Sequence, residues 1–167
     1  MKLAQNLNRL GTESAFAVLA EAKKLEAQGK SMIHLGLGQP DFKTPKHVVE
    51  AAKKALDDGH HGYVMSNGIP ECRQAVTRKI KQLYNVDVDQ ERILIMPGGK
   101  PTMYYAISCY GEPGAEIIHP TPAFPIYESM INYTGAKPVP YDLTEDKDLK
   151  FTAEKILSLI TDKTRLL

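Results

Sequence analysis

The stretch "RILIMPGGKPTMYYA" at residues 92–106 joins an apolar run to a helix-like run through a proline and a pair of glycines. Gly98 and Gly99 allow the backbone to approach a ligand closely and to adopt angles that other residues resist. The N–H groups at the start of the following helix, together with the helix dipole, favour a bound anion, and Lys100 adds a positive charge. On these residues alone, a phosphate site and a plain strand-to-helix turn are equally open interpretations.

Strands and helices are predicted to alternate along the chain, because the apolar residues recur at helical or strand spacing between turn-forming residues. In chain order, the predictions are a helix from Ser14 to about residue 28, a short strand at 31–38, a helix that Thr44 caps and Pro45 opens, a helix at 70–84, a strand at 92–96, a helix at 101–110, a strand at 116–119, a helix at about 124–132, a strand at 137–141, a helix at 152–160 and a strand beginning at Arg165. This alternation indicates an α/β fold with a mostly parallel sheet flanked by helices. Ligands of such sheets bind at the carboxyl ends of the strands, where Gly98 is predicted to lie.

The composition is that of an ordinary soluble domain, with 43% hydrophobic and 25% charged residues among 167. The net charge is only +1, so neither a nucleic acid nor an anionic membrane is an expected partner. No stretch approaches the roughly 20 apolar residues of a membrane span, and the apolar run before Glu21 is too short for a signal peptide. Cys72 and Cys109 lie far apart in sequence, so we expect reduced thiols and a cytoplasmic location.

Several common site motifs are missing from the sequence. A P-loop would need a glycine at Leu94 and a serine or threonine at Pro101, and the "GLGQPD" stretch at 36–41 has Asp41 where a dinucleotide-binding fingerprint needs its third glycine. The five histidines show no zinc-binding spacing, so no metal site is predicted. The charged run at 144–148 is predicted to be a solvated turn.

Two aromatic residues stand at unusual places. Phe124 lies within "HPTPAFPIY" at 119–127, where three prolines make the strand-to-helix turn rigid. Its ring could stack on a flat ligand or pack the helix onto the sheet. Tyr63 lies in a glycine-flanked loop from which its hydroxyl could reach a partner. Each residue taken alone leaves both interpretations open.

Four segments taken together resemble the class I/II aminotransferases, which depend on pyridoxal phosphate and have fold type I, and in particular the aspartate and aromatic types. The segments are "LGLGQPDFKTPKHVVEAAKKAL", "HHGYVMSNGIPECRQAV", "ILIMPGGKPTMYYAI" and "EPGAEIIHPTPAFPIYESM". The resemblance extends over essentially the whole chain. It implies an N-terminal arm, helix and small-domain segment at residues 1–44, and the N-terminal part of the cofactor-binding large domain at 45–167.

The resemblance also implies which residues hold the cofactor, pyridoxal 5′-phosphate. Backbone N–H groups of Gly98, Gly99 and Lys100 would bind its phosphate, with Pro101 just past these donors. Phe124 would stack on the pyridine ring. No lysine of this chain matches the one that forms the Schiff base, so that lysine is expected beyond Leu167.

Three further roles follow from the same resemblance. Tyr63 would reach the phosphate of the neighbouring subunit's cofactor, which implies a homodimer with shared active sites. The Gly38 backbone would lie near the substrate carboxylate. Phe16 would belong to an N-terminal segment that can cover the active site.

The activity implied is transfer of an amino group between an amino acid and a 2-oxo acid, although the chain alone is expected to be inactive without the catalytic lysine. A lyase or synthase of the same fold, such as a C–S lyase, and a non-catalytic phosphate-binding fragment are the alternatives. Lys100 would favour an acidic substrate by charge pairing. Phe16 argues the other way, because it is apolar where acid-specific subgroups often carry a small polar residue.

Overall fold

The computed structural model describes residues 2–11, 14–144 and 149–167, so most of the charged run predicted as a turn at 144–148 lies outside the described residues. The described chain forms two compact units, one made of Met1–Gly36 with Gly98–Leu167 and the other of Leu37–Pro97. The helices are α1 (Ser14–Ala27), α2 (Lys46–Asp57), α3 (Pro70–Tyr84), α4 (Gly99–Tyr110), α5 (Ile126–Thr134) and α6 (Ala153–Leu159), with short 3-10 helices at Gln5–Arg9 and Gln90–Arg92; the strands are β1 (Glu116–Thr121), β2 (Lys137–Asp142) and β3 (Thr164–Leu166).

The first unit is built on a parallel sheet in the strand order β2-β1-β3. The β1 and β2 strands pair in register from Glu116 opposite Lys137 to Thr121 opposite Asp142. Pairing between β1 and β3 shifts register after Glu116. The predicted α/β class with a parallel sheet and flanking helices is therefore confirmed.

The hydrophobic core lies where β1 meets α4 and α5. Ile117 on β1 and Ile107 on α4 are buried, and Ile131 on α5 has no exposed surface. Residues 116–119 of the central strand β1 are all buried, and since successive side chains point to opposite faces, both faces are covered there. This packing fixes the positions of the turns that lead out of β1 and into α4 and α5.

The start of β1 carries a buried carboxylate with two hydrogen-bond donors. Lys137 Nζ donates to Glu116 Oε1 over 2.9 Å, and Thr161 Oγ1 donates to Oε2 over 2.8 Å. Two hydrogen bonds lower the pKa of Glu116 below its ordinary value of 4.5: the larger effect comes from Lys137 and the smaller from Thr161. Burial acts in the opposite direction and raises the pKa. Nearby Lys163 lowers the pKa further.

We expect the contribution of Glu116 to the free energy of unfolding to depend on pH. Because its pKa is lower in the folded state, this contribution is complete above the unfolded-state pKa and is lost as the pH falls through the folded-state pKa. The free energies of unfolding of the wild type and Glu116→Gln, measured in urea, should therefore differ most at about pH 7 and become equal in acid. Lys137→Met should flatten the same dependence. A difference that is constant across this pH range would contradict the assignment.

The second unit is described at every one of its residues, and Arg73 on α3 is the one residue in it that is buried. Arg73 Nη1 donates to Glu91 Oε1 over 2.9 Å and to the Gln90 carbonyl over 3.1 Å. The α3 helix begins at Pro70 and ends before Asn85 in the left-handed conformation, as predicted for 70–84. The unit thus ties α3 to the segment that leads towards Pro97.

Two predicted strands, at 31–38 and 92–96, do not form among the described residues. Ile93 has extended backbone angles, and Ile95 donates its N–H to the carbonyl of Asn67, which lies in a turn. An extended segment becomes a strand only when a neighbouring strand supplies a ladder of hydrogen bonds. These segments have the composition of strands without such a partner.

Helix boundaries differ from the predictions by one or two residues. Pro45, rather than Thr44, is the N-cap of α2, and no side chain caps this helix. The predicted helix at 101–110 begins two residues earlier, at Gly99. Thr152 caps α6, its Oγ1 accepting a hydrogen bond from the Lys155 N–H at 3.3 Å. The early start of α4 matters most, because it brings the glycine pair into the first helical turn.

Candidate functional site

The glycine pair forms the N-terminal end of α4. Gly98 is the N-cap residue, with φ +104° and ψ 169°, a backbone region that is essentially restricted to glycine. Thr102 Oγ1 donates to the Gly98 carbonyl over 3.2 Å and holds the turn against the helix. A helix has no internal acceptors for the N–H groups of its first turn, which makes this end suited to an anion.

The space around the glycine pair is open. A Cβ atom placed on Gly98 would meet no atom within 4 Å, and one on Gly99 would lie 3.8 Å from Met103 Cε. In the direction in which a Cβ would leave Gly98, no atom of the described residues lies within 4 Å.

The ammonium of Lys100 lies near two aromatic rings. Its Nζ is 5.3 Å from the ring centroid of Phe124 and 5.6 Å from that of Phe16, both within the range of cation–π attraction. The two rings keep 41% and 55% of their surface exposed. The structure thus brings together, beside one helix N-terminus, a positive charge and two partly exposed aromatic rings.

The sheet and α5 determine where Phe124 lies. The central strand β1 ends at Thr121 and α5 begins at Ile126, so Phe124 occupies a short turn between two packed elements. The Phe124 carbonyl accepts a hydrogen bond from the Tyr127 N–H at 3.2 Å. Because this turn follows the carboxyl end of β1, Phe124 stands where ligands of parallel sheets bind.

The remaining predicted site residues lie in the second unit. Tyr63 is fully exposed, and a Cβ atom on Gly38 would meet nothing within 4 Å. The predicted roles of these two residues, like those of Gly98, Gly99, Lys100, Phe124 and Phe16, stay predictions.

Contacts of the N-terminal arm were missed by the sequence analysis. Arg9 donates from Nε to the Asn132 carbonyl over 2.9 Å and from Nη2 to the Tyr133 carbonyl over 2.8 Å. The Gly11 N–H donates to Ser129 Oγ over 2.9 Å. These partners are more than a hundred residues apart in sequence, so no local pattern could have indicated them.

Two cavities beside the sheet offer little chemistry. Two open cavities lie at the carboxyl end of β1 and are lined mainly by apolar side chains and by His119. The cavity of about 350 Å³ also contacts Tyr127, and that of about 390 Å³ contacts Tyr141. Neither is lined by a lysine or arginine that could bind a phosphate. Within the described residues, no group of three or more His, Cys, Asp or Glu side chains could hold a metal ion, and no helix is long and apolar enough to cross a membrane.

Residues 30–167 match the model of a protein family described as aminotransferase class I and II. The chain is 33% identical over 165 residues to the aspartate aminotransferase of Bacillus subtilis, covering 99% of this chain and 42% of that protein. It is 40% identical over 135 residues to a probable aspartate aminotransferase of Methanocaldococcus jannaschii, covering 81% of this chain and 36% of the relative.

Solved structures show the same similarity. An alanine aminotransferase from Pyrococcus furiosus superimposes with a TM-score of 0.89 and 30% identity, over 98% of this chain and 42% of that one. An aspartate aminotransferase from Thermus thermophilus, solved with maleate, gives the same TM-score and identity, over 98% of this chain and 43% of that one. The chain therefore spans about two fifths of the length of these relatives.

Proposed function

Because the chain belongs to the class I and II aminotransferase family, we propose that it supplies the phosphate-binding and ring-stacking side of an enzyme that uses pyridoxal 5′-phosphate. The proposed reaction transfers an amino group between an amino acid and a 2-oxo acid. The relatives named above are aminotransferases, which favours this reaction over a lyase of the same fold.

One observation carries the proposal: the helix end at Gly98 and the exposed ring of Phe124 both lie beside Lys100. Pyridoxal phosphate combines an anion with a flat ring, so it needs a helix N-terminus and an aromatic face close together. Both are present, and no atom of the described residues lies within 4 Å of the position that a Cβ on Gly98 would occupy. The residues of this chain thus fit the group.

Each residue has a stated task in the proposed site. The N–H groups of Gly98, Gly99 and Lys100 hold the phosphate, and the ring of Phe124 fixes the plane of the cofactor ring. When bound, the cofactor supplies an electron sink for the α-carbon of the amino acid. Phe16 covers the site and excludes water from it. No residue of this chain is assigned the role of the catalytic lysine.

Charge is proposed to guide substrate recognition. The Lys100 ammonium favours a substrate with an acidic side chain, because a carboxylate would form a charge-assisted hydrogen bond with it. Gly38 lies near the substrate carboxylate in this proposal, and Tyr63 reaches the cofactor phosphate of a second copy in a cytoplasmic homodimer. Residues 1–44 belong to the arm and small domain, and 45–167 to the large domain.

Binding of pyridoxine 5′-phosphate tests the proposed site. This compound has the ring and phosphate of the cofactor but no aldehyde, so it forms no covalent adducts with surface lysines. We expect titration calorimetry to detect binding that is absent with phosphate-free pyridoxine. Phe124→Ala should weaken the affinity roughly fivefold, since a ring contact contributes about 1 kcal/mol.

Phe151 offers a matched control, because it is an exposed phenylalanine of the same unit that lies next to α6 rather than α4. Phe151→Ala should leave the affinity unchanged. The assignment of the site would be refuted if pyridoxine bound as tightly as pyridoxine 5′-phosphate. It would also be refuted if Phe124→Ala and Phe151→Ala lost the same affinity.

A further inference from the structure

The C-terminal end of α5 is held by an arginine from the distant N-terminal arm. The last carbonyls of a helix have no partners within the helix and carry the negative end of its dipole. Arg9 donates from two different nitrogens to the adjacent carbonyls of Asn132 and Tyr133, over 2.9 and 2.8 Å. The guanidinium adds a donor to the Asn132 carbonyl, which also accepts from the Gly135 N–H over 3.1 Å, and supplies one to the Tyr133 carbonyl. It also places a positive charge at the favourable end of the helix.

A second attachment lies one turn earlier on the same helix. The Gly11 N–H donates to Ser129 Oγ over 2.9 Å, and the Ser129 hydroxyl lies 3.4 Å from the Gly11 carbonyl. Ser129, Asn132 and Tyr133 are spaced by three and four residues, so they share one face of α5. The arm is thus fastened along a defined stripe of the helix.

The helix that follows the arm is itself weakly held. In α1, Phe16 and Val18 keep 55% and 59% of their surface exposed, and Ala22 is the one residue described there as buried. Little apolar burial is therefore available to fix the position of α1. Its first turn nevertheless carries Phe16, whose ring lies 5.6 Å from Lys100 Nζ.

We propose that Arg9 is a positioning residue, which fastens the arm to α5 and thereby sets Phe16 over Lys100. The positions of both rings beside the Lys100 ammonium are then fixed by the same helix, α5. Phe124 precedes the N-terminal end of α5 directly, and Phe16 is placed through the arm attached near its C-terminal end. That Phe16 covers a cofactor site rests on the proposed function. That Arg9 sets the position of the Phe16 ring near Lys100 does not.

The chain contains no tryptophan, so Phe16→Trp creates a single fluorescent reporter at the proposed contact. Tryptophan is also the strongest aromatic partner for a cation. In this background, Lys100→Met should shift the tryptophan emission, because it removes the ammonium beside the ring. With Arg9→Met added, Lys100→Met should no longer cause a shift.

Arg78→Met is the matched control, since Arg78 is an exposed arginine on α3 in the other unit. It should leave the Lys100-dependent shift intact, and Ser129→Ala should reduce the shift. An equal shift with and without Arg9, or no shift in either background, would overturn the proposal. A variant that only destabilises the fold would move the urea midpoint without removing the shift in tryptophan emission. The experiment needs no cofactor, so its failure is distinguishable from failure of the proposed function.

Discussion

Replacing Ile131 with alanine is expected to lower the free energy of unfolding by about 2–5 kcal/mol. Ile131 has no exposed surface and packs at the centre of the cluster formed by β1, α4 and α5. Removing its side chain loses the transfer free energy of the buried carbons and leaves a cavity that the sheet and helices cannot fully close. Urea unfolding followed by circular dichroism would measure the loss.

Two companion variants separate the cavity from other effects. Ile131→Val removes one methylene and should cost about 0.5–1.5 kcal/mol. Ile160→Ala truncates an isoleucine that keeps 43% of its surface exposed at the end of α6, so its cost should be smaller than that of Ile131→Ala. If Ile131→Ala and Ile160→Ala proved equally damaging, the core would not be centred on α5.

Replacing Gly98 with alanine is expected to weaken binding of pyridoxine 5′-phosphate by about tenfold or more. A residue with a Cβ atom at φ +104° and ψ 169° costs about 1–3 kcal/mol, and about 1.4 kcal/mol corresponds to a factor of ten in affinity. The strain would be relieved by rotating the Gly98 peptide, which would turn its N–H away from the phosphate position. Titration calorimetry measures the change directly.

Gly99 provides the matched control for this prediction. It lies in the helix, outside the left-handed region, and a Cβ atom there would make only an ordinary contact with Met103 at 3.8 Å. Gly99→Ala also keeps the backbone N–H, so the affinity should stay close to that of the wild type. Wild-type affinity in Gly98→Ala, or an equal loss in both variants, would argue against a phosphate site that depends on the Gly98 conformation.

Local signals allowed most of the fold to be predicted from the sequence. The bounds of α3 were correct because Pro70 suits a first helical turn and Asn85 adopts the left-handed conformation that ends a helix. The strand predicted at 116–119 continues to Thr121, because β2 pairs with it past Pro120. The strands predicted at 31–38 and 92–96 failed because a sequence pattern does not reveal whether a partner strand is present.

The candidate site was predictable to a different degree. The position of the glycine pair left a phosphate site and a plain turn equally open, and it did not indicate which side chains would lie beside the pair. That Phe124 and Phe16 both flank Lys100 depends on packing between segments far apart in sequence. The Arg9 contact with α5 is equally non-local, and a single arginine near the N-terminus carries no local signature of such a role.

The strand order β2-β1-β3 has a consequence for how the sheet can be assembled during synthesis. A ribosome makes β1 first, at residues 116–121, and then β2 and β3 in turn. The central strand is therefore available before either of its neighbours, and each later strand adds to an edge that already exists. Among these three described strands, none has to be inserted between two others, so this part of the sheet can grow outward as the chain emerges.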